Sequence, residues 1–240
     1  MKAFTEVPWR VKDALAVFIL SWVGLPVLII LVLRGLAPVN SFSAGLLHSL
    51  ASGSITANFV LVLLDAILGL LLVGLYLRRY NLGWSAVGWR SFNVGQALFY
   101  LLMAILIFFI AVAALYALVS FIFPHFNANQ AQVNDFTKAT SPGSKRLSFL
   151  ALVVIPPFIE ETVFRGFIFP AFAKRFGLVI GMIATSLLFG LAHLQLNVSL
   201  YTLILSLLLC MMYYKLGSIW PGIILHMVNN YLAYMAILQK

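Results

Sequence analysis

Apolar residues run along this chain in long, nearly unbroken blocks, and the polar positions gather between the blocks. Strict alternation would mark half-buried strands, and a 3.6-residue stripe would mark helices lying on a soluble core. Neither pattern dominates. Seven blocks are long enough to cross a hydrocarbon layer of about 30 Å as helices: Ala14–Leu33, Ile55–Leu77, Gln96–Phe123, Leu147–Phe172, Leu178–His193, Val198–Tyr214 and Ile219–Leu238. The spacing predicts an all-α fold, a polytopic transmembrane helical bundle of about 7–8 membrane helices, because lipid leaves backbone groups no partner outside a helix or a closed barrel. The third and fourth blocks are long enough to tilt, and the fifth and sixth are short. A break of the fourth at Pro156-Pro157 would add a short or re-entrant helix.

Composition agrees with the pattern. Of 240 residues, 63% are hydrophobic and 9% charged, against about 45–50% and 25% in soluble domains. The formal charge of +9 could suggest a nucleic-acid partner. Its distribution argues for topology instead. With the N-terminus inside, Lys2, Arg10, Lys12, Arg78, Arg79, Arg90, Lys174, Arg175 and Lys215 are cytoplasmic. Arg34, Lys138, Lys145, Arg146 and Lys240 are external, and this bias predicts a multi-pass cell-membrane protein with a cytoplasmic N-terminus. No basic patch with interleaved aromatics appears, so no nucleic acid is expected, and the bilayer itself is the first partner. Trp84 and Trp89 beside Arg90 suit an interface anchor. Glu6 and Asp13 interrupt the basic N-terminal region, so the first block is expected to be retained rather than cleaved as a signal. Cys210 is the single cysteine; it forms no intrachain disulfide and is expected to be a small buried apolar residue.

The longest polar stretch is Pro124–Arg146, placed outside, where a short surface helix ended by Ser141-Pro142-Gly143 is expected. Polar residues within apolar blocks concentrate after Leu147. This predicts two parts: residues 1–146 as an N-terminal transmembrane scaffold and residues 147–240 as a catalytic transmembrane core.

Glu160, Glu161 and Arg165 lie in the fourth block, where each ionisable group costs about 2.5–3.5 kcal/mol at a helix centre. Three left unpaired would cost about 8–10 kcal/mol. Glu161 and Arg165 are four apart on a helix and can neutralise one another. Glu160 lies about 100° round and is the carboxylate freer to handle a proton. Phe189-Gly-Leu-Ala-His193 ends the fifth block, and His226-Met-Val-Asn-Asn230 lies in the last, with His226 and Asn230 on one face. At about 1.5 Å per residue from the cytoplasmic ends, Glu160, His193, His226 and Asn230 lie roughly 14–24 Å deep. Asn229 points elsewhere and suits an interhelical hydrogen bond. Gly177/Gly181 and Ser186/Gly190 would let the fifth helix approach its neighbours closely.

One carboxylate, two imidazoles and one amide suit hydrolysis of an amide bond. Glu160 can take a proton from water that His193 orients, while His226 and Asn230 can donate to a developing oxyanion. Alternatively, Glu160, His193 and His226 could ligate Zn2+ that polarises water. The cofactor stays open between zinc and none.

Together EETVFR, FGLAH and HMVNN resemble, in order, the EExxxR, FxxxH and HxxxN pattern of the CAAX protease and bacteriocin-processing (CPBP, or Abi) family of intramembrane endopeptidases. The flanks PPFIEETVFRGFIFPAF and LGSIWPGIILHMVNN fit as well, so the resemblance covers about Leu147–Leu238. It implies that Glu160 activates water with His193, that His226 and Asn230 form the oxyanion hole, and that Glu161 and Arg165 support the site. It implies a membrane-embedded or lipidated peptide as substrate. Family members are commonly called metalloproteases, although a metal-free glutamate mechanism is also attributed to them. Eukaryotic members cut after a prenylated cysteine, whereas prokaryotic ones are linked with bacteriocin-like peptides; the compact length favours a prokaryotic role here.

Other polar residues lack motif support. Asp65, in LVLLDAILGL, could pair with Arg165 or line a cavity, and a structural hydrogen bond is the favoured reading. His48 and His125 fall in predicted loops. A non-catalytic scaffold or a proton-coupled transporter is the alternative function, although the inverted repeats typical of transporters are missing.

Overall fold

The computed structural model describes residues 6–124 and 139–238. The described residues form eight helical rods: α1 Val11–Leu36, α2 Ser41–Ala51, α3 Ile55–Arg79, α4 Val94–Ile122, α5 Pro142–Phe176, α6 Leu178–Leu191, α7 Leu196–Leu216 and α8 Trp220–Leu238. Five of them (α1, α3, α4, α5 and α7) are long and apolar enough to cross a membrane, which makes this an all-α, multi-pass membrane protein. Among the described residues, five of the seven expected spans have the length and composition to cross a membrane. The fifth block gives a helix of only 14 residues, about 21 Å at 1.5 Å per residue. The last gives α8, of 19 residues, which carries His226, Asn229 and Asn230. In contrast, the sixth block, expected to be short, extends to 21 residues.

Local chemistry sets most of the helix starts. The Asn40 side chain accepts from Phe42 and Ser43 amides, Ser54 from Ala57, and Asn93 from Gln96, satisfying first-turn donors that a helix leaves open. Asn40 thereby starts α2, a helix absent from the sequence reading, and exposed His48 lies on it rather than in a loop. Ser141 caps the Ser144 amide, and Pro142 occupies the first turn of α5. Ser141-Pro142 therefore opens a helix instead of closing one, since proline's missing N–H is tolerated there. The surface helix expected before it, with His125 and Lys138, lies outside the described residues, as do Lys2 and Lys240.

Helix α5 is the axis of the bundle. Every residue from Glu161 to Ala173 is buried, whereas α4 buries only Ala97, Ala104 and Phe108 and turns Leu, Ile and Phe outward. Pro156-Pro157 does not break α5. The helix instead widens just before the prolines, over Leu150–Val154, and again over Glu161–Ile168. In these turns amides reach five residues back, as Ile155 does to Leu150 and Phe169 to Phe164. The segment before α1 is drawn into the same core. Trp9 is fully buried, stacks on Phe167 at 4.5 Å, and donates its indole N–H to the Phe167 carbonyl at 2.7 Å. Lys174 Nζ donates to the Val7 carbonyl at 2.7 Å.

Two close approaches place the remaining elements. A Cβ on Gly181 would lie 2.6 Å from the Ala173 amide nitrogen, so α6 packs on α5 only because this residue has no side chain. Gly190 similarly admits the Ser199 carbonyl of α7. Gly177, with φ +84° and open space around it, serves instead as the turn between α5 and α6. The loop after α3 also reaches inward. Trp89 is half-buried and donates to Thr162 Oγ1 at 3.1 Å, so of the two expected interface tryptophans only Trp84 is exposed.

Candidate active site

The centre of the site is an ion pair made by helical spacing. Arg165 Nη1 donates to Glu161 Oε1 at 2.9 Å, and both side chains are buried. The guanidinium lies 4.5 Å from the Phe189 ring centroid, a cation–π contact that stabilises a charge deprived of water. Glu161 Oε2 lies against Gly222, where a Cβ would sit 3.2 Å from it. That glycine lets α8 approach close enough for His226 to reach the pair. His226 Nδ1 is 2.9 Å from Glu161 Oε1, and its Nε2 is 3.6 Å from Glu160 Oε2. A carboxylate accepts, so Nδ1 donates and carries the proton.

His193 does not lie on α6 as the sequence suggested. It sits in the turn just beyond Leu191. There the His193 amide bonds to Gly190, which leaves the Phe189 carbonyl without its usual partner four residues on. His193 Nδ1 takes that place at 2.9 Å. Since a carbonyl only accepts, Nδ1 donates and Nε2 keeps a lone pair that can accept from water.

Asn230 is positioned by the prolines of α5. A helix would satisfy the Leu152 carbonyl from residue 156, and a widened turn from residue 157, and both are proline. That carbonyl instead accepts from Asn230 Nδ2 at 3.0 Å. The second N–H of the amide remains uncommitted, and Asn230 Oδ1 accepts from Asn229 Nδ2 at 3.2 Å.

These side chains share one cavity of about 290 Å³, lined by Glu160, His193, His226 and Asn230 together with residues of α3 and α7. Glu160 is 18% exposed where Glu161 is fully buried, so the two adjacent carboxylates meet different surroundings. Glu161 and Arg165 sit behind the cavity wall. Asn229, read from sequence as facing elsewhere, also lines the cavity, as do Tyr201, Thr202 and Tyr234. Tyr234 continues the stripe of His226 and Asn230 at four-residue steps and was visible on that ground; Tyr201 and Thr202 carry no such signal. Asp65 neither joins the lining nor pairs with Arg165, which is occupied by Glu161. Its Oδ1 is buried without a hydrogen-bond partner.

Residues 142–232 match the family model described as type II CAAX prenyl endopeptidase Rce1-like. That segment is an Rce1-like CAAX endopeptidase domain. The domain is that of a protease. No curated protein and no solved structure gives a significant match. The match opens at Pro142, where Ser141 caps α5, and closes beyond Asn230, so it contains every side chain of the pair, both imidazoles and the amide.

The donor set of the Rce1-like domain does not assemble the zinc triad weighed from sequence. Among the described residues no three His, Cys, Asp or Glu side chains are grouped as one ion requires. His226 and His193 each commit Nδ1, to Glu161 and to the Phe189 carbonyl, so Nε2 is the nitrogen each ring can still offer to a ligand. Cys210 is buried, as expected.

Proposed function

We propose that this Rce1-like protein is an intramembrane endopeptidase that cleaves a peptide bond in a prenylated or otherwise membrane-associated peptide, using water activated by Glu160. One observation carries the reading: a partly exposed carboxylate, two imidazoles and an amide line one cavity, backed by a buried ion pair. The scaffold role of residues 1–146 and the catalytic role of residues 147–240 belong to the same proposal, although buried Trp9 shows the two parts sharing a core.

In this mechanism Glu160 takes a proton from a water molecule whose other hydrogen is accepted by His193 Nε2. The water oxygen attacks the scissile carbonyl carbon and forms the new C–O bond. Negative charge moves to the carbonyl oxygen, where His226 Nε2–H and the free N–H of Asn230 stabilise it. Donating from Nε2 while Nδ1 stays bonded to Glu161 requires both ring nitrogens to carry protons; since Glu161 is committed to Arg165, the ring's charge is balanced by Glu160 before the proton transfer and by the oxyanion after it. The C–N bond then breaks, and Glu160 returns its proton to the departing amine. Arg165 and Glu161 act through His226 by holding its ring and are positioning residues.

The test is cleavage of a quenched, prenylated peptide by purified protein reconstituted in vesicles. Glu160→Gln preserves size but cannot accept the proton, so the rate should fall by about 10²–10⁴-fold with an unchanged unfolding profile. Cleavage at the wild-type rate would remove Glu160 from the role of base. Movement of an intact peptide across the vesicle would favour transport instead.

A further inference from the structure

A second cavity, of about 290 Å³, lies at the end of the bundle where α1 begins and α5 finishes. Arg10, Lys12, Lys174 and Arg175 surround it, with Trp9 and Ala171 among its apolar walls. None of the cavity's lining residues is acidic. Among the described residues, none of the four cations is paired with a carboxylate. The nearby Asp13 is committed to the Arg10 amide at 2.8 Å. Lys174 spends one N–H on Val7 and keeps two. Four like charges around one hollow repel one another unless an anion enters.

Position selects the anion. Helix α1 has 26 residues, about 39 Å at 1.5 Å per residue, which exceeds a core of about 30 Å. Its first turn therefore reaches the headgroup layer. Half-buried Val11 and the aliphatic stems of the basic side chains offer contacts for glycerol and acyl carbons rather than for water. We infer that this cavity is a binding site for the phosphate of an anionic phospholipid headgroup, clamped by Arg10, Lys12, Lys174 and Arg175.

The inference is independent of catalysis and is tested on the full chain in neutral detergent. Native mass spectrometry and a binding titration would compare short-chain phosphatidylglycerol, short-chain phosphatidylcholine and inorganic phosphate. The expected result is selective retention of phosphatidylglycerol, with affinity falling about fivefold for each cation removed in Lys12→Gln, Arg175→Gln and the triple variant Arg10→Gln/Lys12→Gln/Arg175→Gln. Lys215→Gln, at another helix end, should bind as wild type. Arg10→Lys/Arg175→Lys, which keeps the charge, should stay within about fivefold of wild type. If a misfolded triple variant were the cause of lost binding, the two single variants at exposed positions would still bind fully, and that would overturn the site. Equal binding of the two lipids would also overturn it. Inorganic phosphate binding as tightly as phosphatidylglycerol would assign the hollow to a free anion and overturn the lipid assignment.

Discussion

At the residue scale the decisive contrast is between two adjacent carboxylates. Glu161 is neutralised by Arg165 and fully buried, whereas Glu160 opens to the cavity. The ion pair is also a support, because His226 hangs from the same carboxylate oxygen. Removing one partner of a buried pair costs about 3–5 kcal/mol, since the other charge is left without compensation. Arg165→Met should therefore lower the unfolding midpoint sharply, measured by thermal unfolding in detergent. Replacing both partners, as Glu161→Leu/Arg165→Met, should recover much of that stability, because apolar groups of similar volume fill the space. It should not recover cleavage, since His226 would lose the acceptor at Nδ1. Recovery of both stability and activity would show that the ring needs no such support.

At the element scale the site depends on how near helices can come. Gly181 sets the distance between α6 and α5, and α6 ends in the turn that carries His193. Gly181→Ala would force a Cβ against the Ala173 backbone, which cannot yield as a flexible side chain could. The expected cost is about 1–3 kcal/mol of overpacking, together with a loss of cleavage exceeding that of Gly45→Ala, whose Cβ would meet open space, in the same assay. Equal effects of the two would mean that the α5–α6 separation does not matter to His193. Much of this scale was legible in the sequence. Apolar blocks bracketed by Asn, Ser and Gly foretold where the long helices lie, and the i,i+4 spacing of Glu161 and Arg165 foretold their contact. What escaped depends on backbone partners rather than on residue pattern. The eleven-residue α2 is too short to stand out as a span. The widened turn before Pro156 follows from which carbonyls the prolines leave open, and Asn230 was recognised without its Leu152 partner. Trp89 looked like an interface anchor because its acceptor, Thr162, lies 73 positions away in the chain.

At the scale of the whole molecule, orientation decides from which side the cavity and the basic hollow are reached. The structure ties the basic ends together. The Ser218 hydroxyl donates to the Arg90 carbonyl at 2.7 Å, and the Ile219 amide to Gly88 at 3.0 Å, so the loop after α3 sits beside the α7–α8 turn near Lys215. Lys174 likewise joins the end of α5 to the segment before α1. One end of the bundle therefore gathers Arg10, Lys12, Arg78, Arg79, Arg90, Lys174, Arg175 and Lys215, and the positive-inside rule leads to the prediction that this end faces the cytoplasm. Cys210 makes the test simple, because it is fully buried and stays silent toward thiol reagents. Ser85, in the loop at the basic end, and Ser52, at the opposite end beyond α2, are both exposed. In intact cells an impermeant maleimide should label Ser52→Cys and leave Ser85→Cys unmodified until the membrane is opened. The reverse pattern would place the N-terminus outside, and the basic hollow would then face the outer leaflet.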